Sequence, residues 1–143
     1  MIASQLAKLI GVEQVSADAE DLAAHRFDRW CLKHWQDWQG EALHAPACVV
    51  RPRDSADVQS VVRFAAANSI AMVPWGLGSG VCGAVEPRPD QILIDMSAMD
   101  QVLSIDEENL LLTIEAGING LVAEEAVAER RLTIGHWPQS IGI

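Results

Sequence analysis

The stretch PWGLGSGVCGAV, Pro74 to Val85, holds four glycines and one serine in twelve residues and directly follows the apolar run IAMV. A segment this poor in side chains lets backbone N–H groups converge on an anion such as a phosphate, which bulky residues would keep at a distance. Three phosphate-binding solutions can be compared with it. The Walker loop needs GxxxxGK followed by Ser or Thr, and no lysine stands here. The Rossmann fingerprint needs GxGxxG opening a helix. Gly76 and Gly78 satisfy its first two positions, Gly83 misses the third, and Pro87 and Pro89 downstream do not let a helix start. The third solution is a free-standing loop around a dinucleotide pyrophosphate. A plain flexible linker between two strands is the bland alternative.

Other chemistry-bearing residues give weaker signals. His25, His34 and His44 share no helical face and have no metal-ligand spacing, so no metal is expected. His136 lies beside Trp137 and Pro138, as a turn residue or as the neighbour of a bound ring. Cys31, Cys48 and Cys82 form no CxxC and leave an odd count, which predicts free, partly buried thiols. Asp106, Glu107 and Glu108 read as a solvated charge run, and Glu115 as a lone strand carboxylate with no partner to raise its pKa.

The glycine loop needs elements to hold it. ACVVRP is a short β-rich run ended by Pro52. In the following RDSADVQSVVRFAAANSI, Val58, Val61, Val62, Ala65 and Ala66 recur at helical spacing. Asp54 or Ser55 caps that helix, and Asn68 is expected in the left-handed conformation at its end. AMVPW is a second strand, so the segment predicts a β-α-β unit with parallel strands and a right-handed crossover. The loop then leaves the carboxyl end of a strand, where ligands sit in open α/β sheets. QILIDM is a third strand. QVLSID and NLLLTIEAG alternate with period two about EEN, which predicts a hairpin, and INGLVAEEAVAERR is a helix capped by Asn119.

Residues 1–45 read as a peripheral helical arm. SQLAKLIG and SADAEDLAAHR are its helices, with Ser16 as a cap and Asp18, Glu20 and Asp21 favouring the positive end of the helix dipole. Trp30, Trp35 and Trp38 follow and do not share one helical face; they are expected to pack on a neighbouring surface or to await a partner.

Composition sets the outer bounds. The chain has 143 residues, half of them hydrophobic, which suits one domain with a moderate core. A net charge of −10, with few clustered arginines or lysines, argues against a nucleic-acid partner. There is no apolar run long enough for a membrane span and no signal-peptide pattern at the N-terminus, so a cytoplasmic protein is expected.

Four segments, in order, carry a family resemblance: PACVVRPRDSADVQSVVRFA, VPWGLGSGVCGAV, ILIDMSAMDQVLSIDEENLLLTIEAGI and TIGHWPQSI. They resemble the PCMH-type FAD-binding domain of the vanillyl-alcohol oxidase/p-cresol methylhydroxylase family, in the branch of alkyldihydroxyacetonephosphate synthases and glycolate or D-lactate oxidoreductases. The resemblance divides the chain into an arm, 1–45, and an FAD-binding domain, 46–143. It implies an α+β fold, a small parallel β-α-β subdomain beside an antiparallel one, with FAD between them. It also implies that Pro74, Trp75, Gly76, Leu77, Gly78, Ser79, Gly80 and Val81 wrap the FAD pyrophosphate, and that Gln139, Ser140 and Ile141 begin a second FAD-contacting segment. Leu77 departs from the pattern, since many relatives have glycine there.

Some members bind FAD covalently through a histidine near the loop. No histidine lies between His44 and His136, so non-covalent FAD is expected. The implied function is the FAD-binding portion of an oxidoreductase acting on a hydroxy acid or alcohol, or of an alkyl-transferring synthase. The family's catalytic residues lie mostly beyond the matched part, so none is assigned here. Two further readings differ in class: a short subunit that pairs with a separately encoded remainder, and a truncated, inactive product. HWPQSIGI ends apolar inside the second FAD segment, which favours truncation over the subunit.

Overall fold

The computed structural model describes residues 1–142. Its centre is a four-stranded sheet of β1 (Val15–Ser16), β2 (Cys48–Val50), β3 (Met72–Trp75) and β4 (Ile92–Asp95), in the spatial order β1-β2-β4-β3. β2, β4 and β3 run parallel, with Val49 opposite Leu93 and Val73 also opposite Leu93; β1 lies antiparallel on the outer edge of β2. The expected β-α-β pair is therefore present, but its strands are not neighbours, because β4 lies between them. Every residue of β2 and β4 is buried. Their continuous apolar runs suit strands covered on both faces.

Alternation along the strands sorts the core into two layers. Cys48, Val50, Ile92 and Ile94 point to the layer shared with α1 (Ile2–Ile10) and α4 (Ser55–Ala67), where Leu6, Ile10, Val61 and Ala65 meet them. Val49 and Leu93 point to the opposite layer, against Val85, Val73, Trp75 and Leu22. The arm is thus not peripheral along its whole length: Leu6 is fully buried, because Leu6 and Ile10 stand one helical turn apart and face the sheet.

Two expected helix ends shift. α2 (Ala19–Ala24) is capped by Asp18, whose carboxylate accepts from the N–H groups of Glu20 and Asp21, whereas Ser16 accepts only from the Asp18 N–H. The charge of aspartate at the positive end of the helix dipole favours it over serine there. At the end of α4, Asn68 has φ −106° and the left-handed residue is Ser69, φ 54°. The Asn68 side chain donates to the Phe64 carbonyl, which holds Asn68 on the helix and moves the turn one residue on. Asp54 caps the start of α4 as expected.

α3 (Cys31–Trp38) completes the arm. The second sheet is the antiparallel hairpin β5 (Val102–Asp106) and β6 (Leu111–Ile114), with an irregularity between Val102 and Ser104. Asp106 organises its turn by accepting from the N–H groups of Glu108 and Asn109. Glu115 accepts from the Gln101 N–H, so its carboxylate ties the foot of the hairpin. α5 (Gly120–Ala128) follows, capped by Asn119. No helix among the described residues is long and apolar enough to cross a membrane.

Candidate cofactor site at the glycine loop

The loop leaves the carboxyl end of β3, as parallel α/β sheets dispose their ligand loops. Its course is set by close contacts only glycine allows. Gly78 has φ +67°, and a Cβ there would lie 2.3 Å from the Trp75 ring, so the loop folds back onto that ring. Among the described residues, none of the backbone N–H groups from Leu77 to Gly83 donates a hydrogen bond within the protein; the next one, Ala84 N–H, donates to Asp28. A run of unpaired donors on a half-exposed loop is chemically suited to an anion.

The far wall comes from the segment leading into α5 and from the segment well after it. Gly76, Leu77 and Ser79 line one cleft of about 320 Å³ together with Ala116, Ile118, Gly120, Pro138, Ser140 and Ile141. The structure thus brings together Gly76, Leu77, Ser79, Ser140 and Ile141. Pro74, Gly80, Val81 and Gln139 are exposed outside this cleft, Gly78 supports it from behind, and Trp75 lies beneath the loop. The segment carrying Ser140 and Ile141 is held at two points. The Leu121 N–H donates to the Ile141 carbonyl at 3.0 Å. The buried Glu124 carboxylate accepts from the Thr133 hydroxyl and, at 2.9 Å, from the Ile134 N–H. His136 is exposed on this segment.

No lining residue of the cleft carries a charge, and its polar groups are backbone amides and serine hydroxyls. That donor set fits a pyrophosphate, which needs N–H and O–H donors and no opposing carboxylate in the wall. A larger cleft of about 560 Å³ lies between the hairpin and the end of α5. It is lined mainly by Ile105, Leu112, Val127 and Leu132 and holds none of the sequence-predicted residues. The smaller cleft is the candidate because its donors match the ligand.

One cluster gave no signal in the sequence. His25, Asp21, Arg51 and Asp95 meet below the loop, at the carboxyl ends of β2 and β4. Arg51 donates to both Asp21 oxygens, at 2.9 and 2.7 Å, and through Nε to Asp95 at 2.9 Å. His25 Nδ1 lies 2.8 Å from the Asp21 carbonyl, its Nε2 lies 3.5 Å from Asp95, and its ring sits 4.8 Å from that of Trp75. The paired guanidinium of Arg51 holds the Asp21 carboxyl down at about 2. Burial opposes charge on His25, but the carboxylate of Asp95 and the Asp21 carbonyl outweigh it and raise its pKa. Burial likewise opposes charge on Asp95, and His25 and the Ser97 amide prevail to lower its pKa. Asp21 and His25 stand four apart at one helix, but Arg51 and Asp95 come from two distant strands, so no spacing reveals the whole cluster. The further hints were a charge just after one apolar strand, Arg51, and one ending another, Asp95.

The three cysteines are free, with Cys48 buried and Cys31 and Cys82 exposed, so the expected partial burial holds for Cys48 alone. Burial pushes the Cys48 thiol up to about 11 and leaves it unreactive.

A family profile described as "FAD binding domain" matches residues 46–143. The chain is 33% identical to the uncharacterized FAD-linked oxidoreductase YgcU of Escherichia coli strain K12 over 97% of its own length and 29% of that protein. It is 30% identical to the glycolate oxidase subunit GlcD of Bacillus subtilis strain 168, over 68% of this chain and 21% of that one. The solved structure of an alkyldihydroxyacetonephosphate synthase superposes with a TM-score of 0.88 at 26% identity, covering 99% of this chain and 27% of that one. The chain spans less than a third of the length of these relatives. With a glycine loop of free donors after a parallel strand, an uncharged cleft and a profile match over more than half its length, the chain belongs to the FAD-binding domain family, and its cofactor is FAD.

Proposed function

We propose that the chain is the FAD-binding portion of a flavin-dependent oxidoreductase acting on a hydroxy acid or alcohol. The observation that carries this reading is the loop of unpaired N–H donors sharing one cleft with Ser140 and Ile141. Pro74 to Val81 would wrap the pyrophosphate, with the amides of Gly76, Gly78 and Gly80 and the hydroxyl of Ser79 as donors. Gln139, Ser140 and Ile141 would form the opposite contact. Bound FAD supplies the two-electron acceptor, and these residues hold and orient it. The division into an arm, 1–45, and a cofactor domain, 46–143, is part of the same proposal.

Non-covalent attachment fits the geometry. The histidine nearest the loop, His25, is buried under Trp75 with both ring nitrogens facing acceptors. The free thiols and acidic composition support a cytoplasmic setting. A second reading, the FAD-binding part of an alkyl-transferring synthase, is favoured by the superposition on alkyldihydroxyacetonephosphate synthase.

Titration of the purified chain with FAD, followed by backbone amide resonances, tests the cofactor reading. Shifts centred on residues 76–81 and 139–141 are expected, at affinities weaker than micromolar because the cleft is open. Acid precipitation should leave all flavin in the supernatant. Shifts elsewhere, or none, would remove the basis for the site.

A further inference from the structure

The arm reaches back to the glycine loop at several points. Asp28 is only 2% exposed, yet among the described residues its carboxylate has no cationic partner; its bonds go to backbone N–H groups instead. One oxygen accepts from Trp30 at 3.0 Å and the other from Ala84 at 3.1 Å. The same carboxylate lies where a Cβ on Gly80 would come within 2.7 Å of it. Two residues on, the Trp30 ring lies against Gly83, where a Cβ would come within 2.4 Å at φ +76°. Lys33, in the first turn of α3, pairs with Glu86 just beyond the loop. Asp28, Trp30 and Lys33 therefore meet the loop's second half at consecutive positions, from Gly80 to Glu86.

We propose that Asp28 and Trp30 are positioning residues for the cofactor loop, acting as a latch that sets the curvature of Gly80–Ala84 and so aims the free amides before it at the cleft; this rests on the reading of that loop as the pyrophosphate cradle. A buried carboxylate bonded to two backbone donors is a costly feature to retain for stability alone, since it must be desolvated and its bonds only offset that loss. One of its two bonds, from the Ala84 N–H, joins the arm to the loop across 56 residues of sequence, and the other, from the Trp30 N–H, holds the carboxylate within the arm. Among the described residues the amides from Leu77 to Gly83 make no hydrogen bonds of their own, so their direction rests on the packing of Gly78 on Trp75 at one end and on the latch at the other. Gly80 and Gly83 follow from this arrangement: each leaves room for the arm, as Gly78 leaves room for Trp75.

The test uses the full chain with ADP as the probe, since ADP carries the pyrophosphate without the flavin. In Asp28→Ala, hydrogen exchange at the Ala84 amide should accelerate and ADP affinity at residues 76–81 should fall about tenfold, equivalent to ~1.4 kcal/mol. Asp28→Asn, which keeps one acceptor oxygen, should fall between the two. Gly80→Ala should weaken ADP binding in the wild-type chain and much less in Asp28→Ala, because the obstructing carboxylate is then gone. Non-additivity in ADP affinity is the readout that matters, since a merely structural contact would show it in the urea midpoint and leave ADP affinity unchanged. If Asp28→Ala does not fold, Asp28→Asn and Gly80→Ala still decide the question. Faster Ala84 exchange with unchanged ADP affinity, or strictly additive Gly80 and Asp28 effects, would overturn the proposal. A wild-type chain whose loop amides ignore ADP would sink the cradle reading and this proposal with it. That failure is recognisable because it occurs before any substitution is made.

Discussion

At the scale of single residues, conformation and charge make separate predictions. Gly78→Ala combines a left-handed backbone with a Cβ placed 2.3 Å from the Trp75 ring. It should destabilise the chain by about 1–3 kcal/mol in urea titration and weaken FAD binding. The ion cluster predicts stability limits on both sides. Asp21 and Asp95 ionise at lower pH in the folded chain, so their contribution is present above about pH 4 and is lost as acid takes the pH through their folded values, about 2 for Asp21. The raised His25 contributes fully below its ordinary value of about 6.5 and loses that contribution as the pH rises through its folded value. Urea midpoints should therefore be highest between about pH 4 and pH 6.5, and His25→Gln should flatten the alkaline side. A wild-type midpoint that does not change between pH 6 and pH 9 would show that folding leaves the His25 pKa at its unfolded value. Only the Asp21–His25 pair, four apart at one helix, was legible in the sequence; Arg51 and Asp95 join it when two strands and that helix assemble.

At the scale of elements, local signals were read well where one residue type decides the outcome. The apolar runs at Cys48–Val50 and Ile92–Asp95 could only be covered strands, and the Asp54 and Asn119 caps sit where helical spacing begins. Removing the carboxylate in Asp54→Ala should cost about 1 kcal/mol, measured as a lower thermal midpoint. Reading failed where two residues compete for one role. Asp18 took the cap from Ser16 through charge, and Ser69 took the left-handed turn from Asn68 through a side-chain bond. Strand order was also invisible, since nothing in the pattern of β3 or β4 says that β4 inserts beside β2. In the candidate site the loop announced itself by its glycines, whereas the support of its far wall did not. Glu124 is one of two adjacent acids on an otherwise apolar helix, yet it is the one that anchors Thr133 and Ile134. Glu124→Ala should loosen residues 133–141, seen as faster amide exchange there while α4 keeps its protection.

At the scale of the whole molecule, the two layers on the four-stranded sheet are filled, but the hairpin is not covered in the same way. Leu103, Leu110, Leu111 and Trp137 are each about 60–70% exposed. Apolar surface of this extent on an isolated chain drives association. Sedimentation should show concentration-dependent self-association, reduced by Leu111→Lys. The strand order has a consequence for synthesis as well. The chain emerges from the ribosome with β2, α4, β3 and the glycine loop all preceding β4, yet β4 is the strand that both β2 and β3 pair with. Until Ile92–Asp95 has been translated, β2 has no parallel neighbour and β3 is an open edge at both sides. The last strand of this sheet to arrive is its keystone: nascent chains stalled before residue 92 are expected to present unpaired apolar edges to chaperones, and the glycine loop to acquire its shape only once that strand is threaded between its elders.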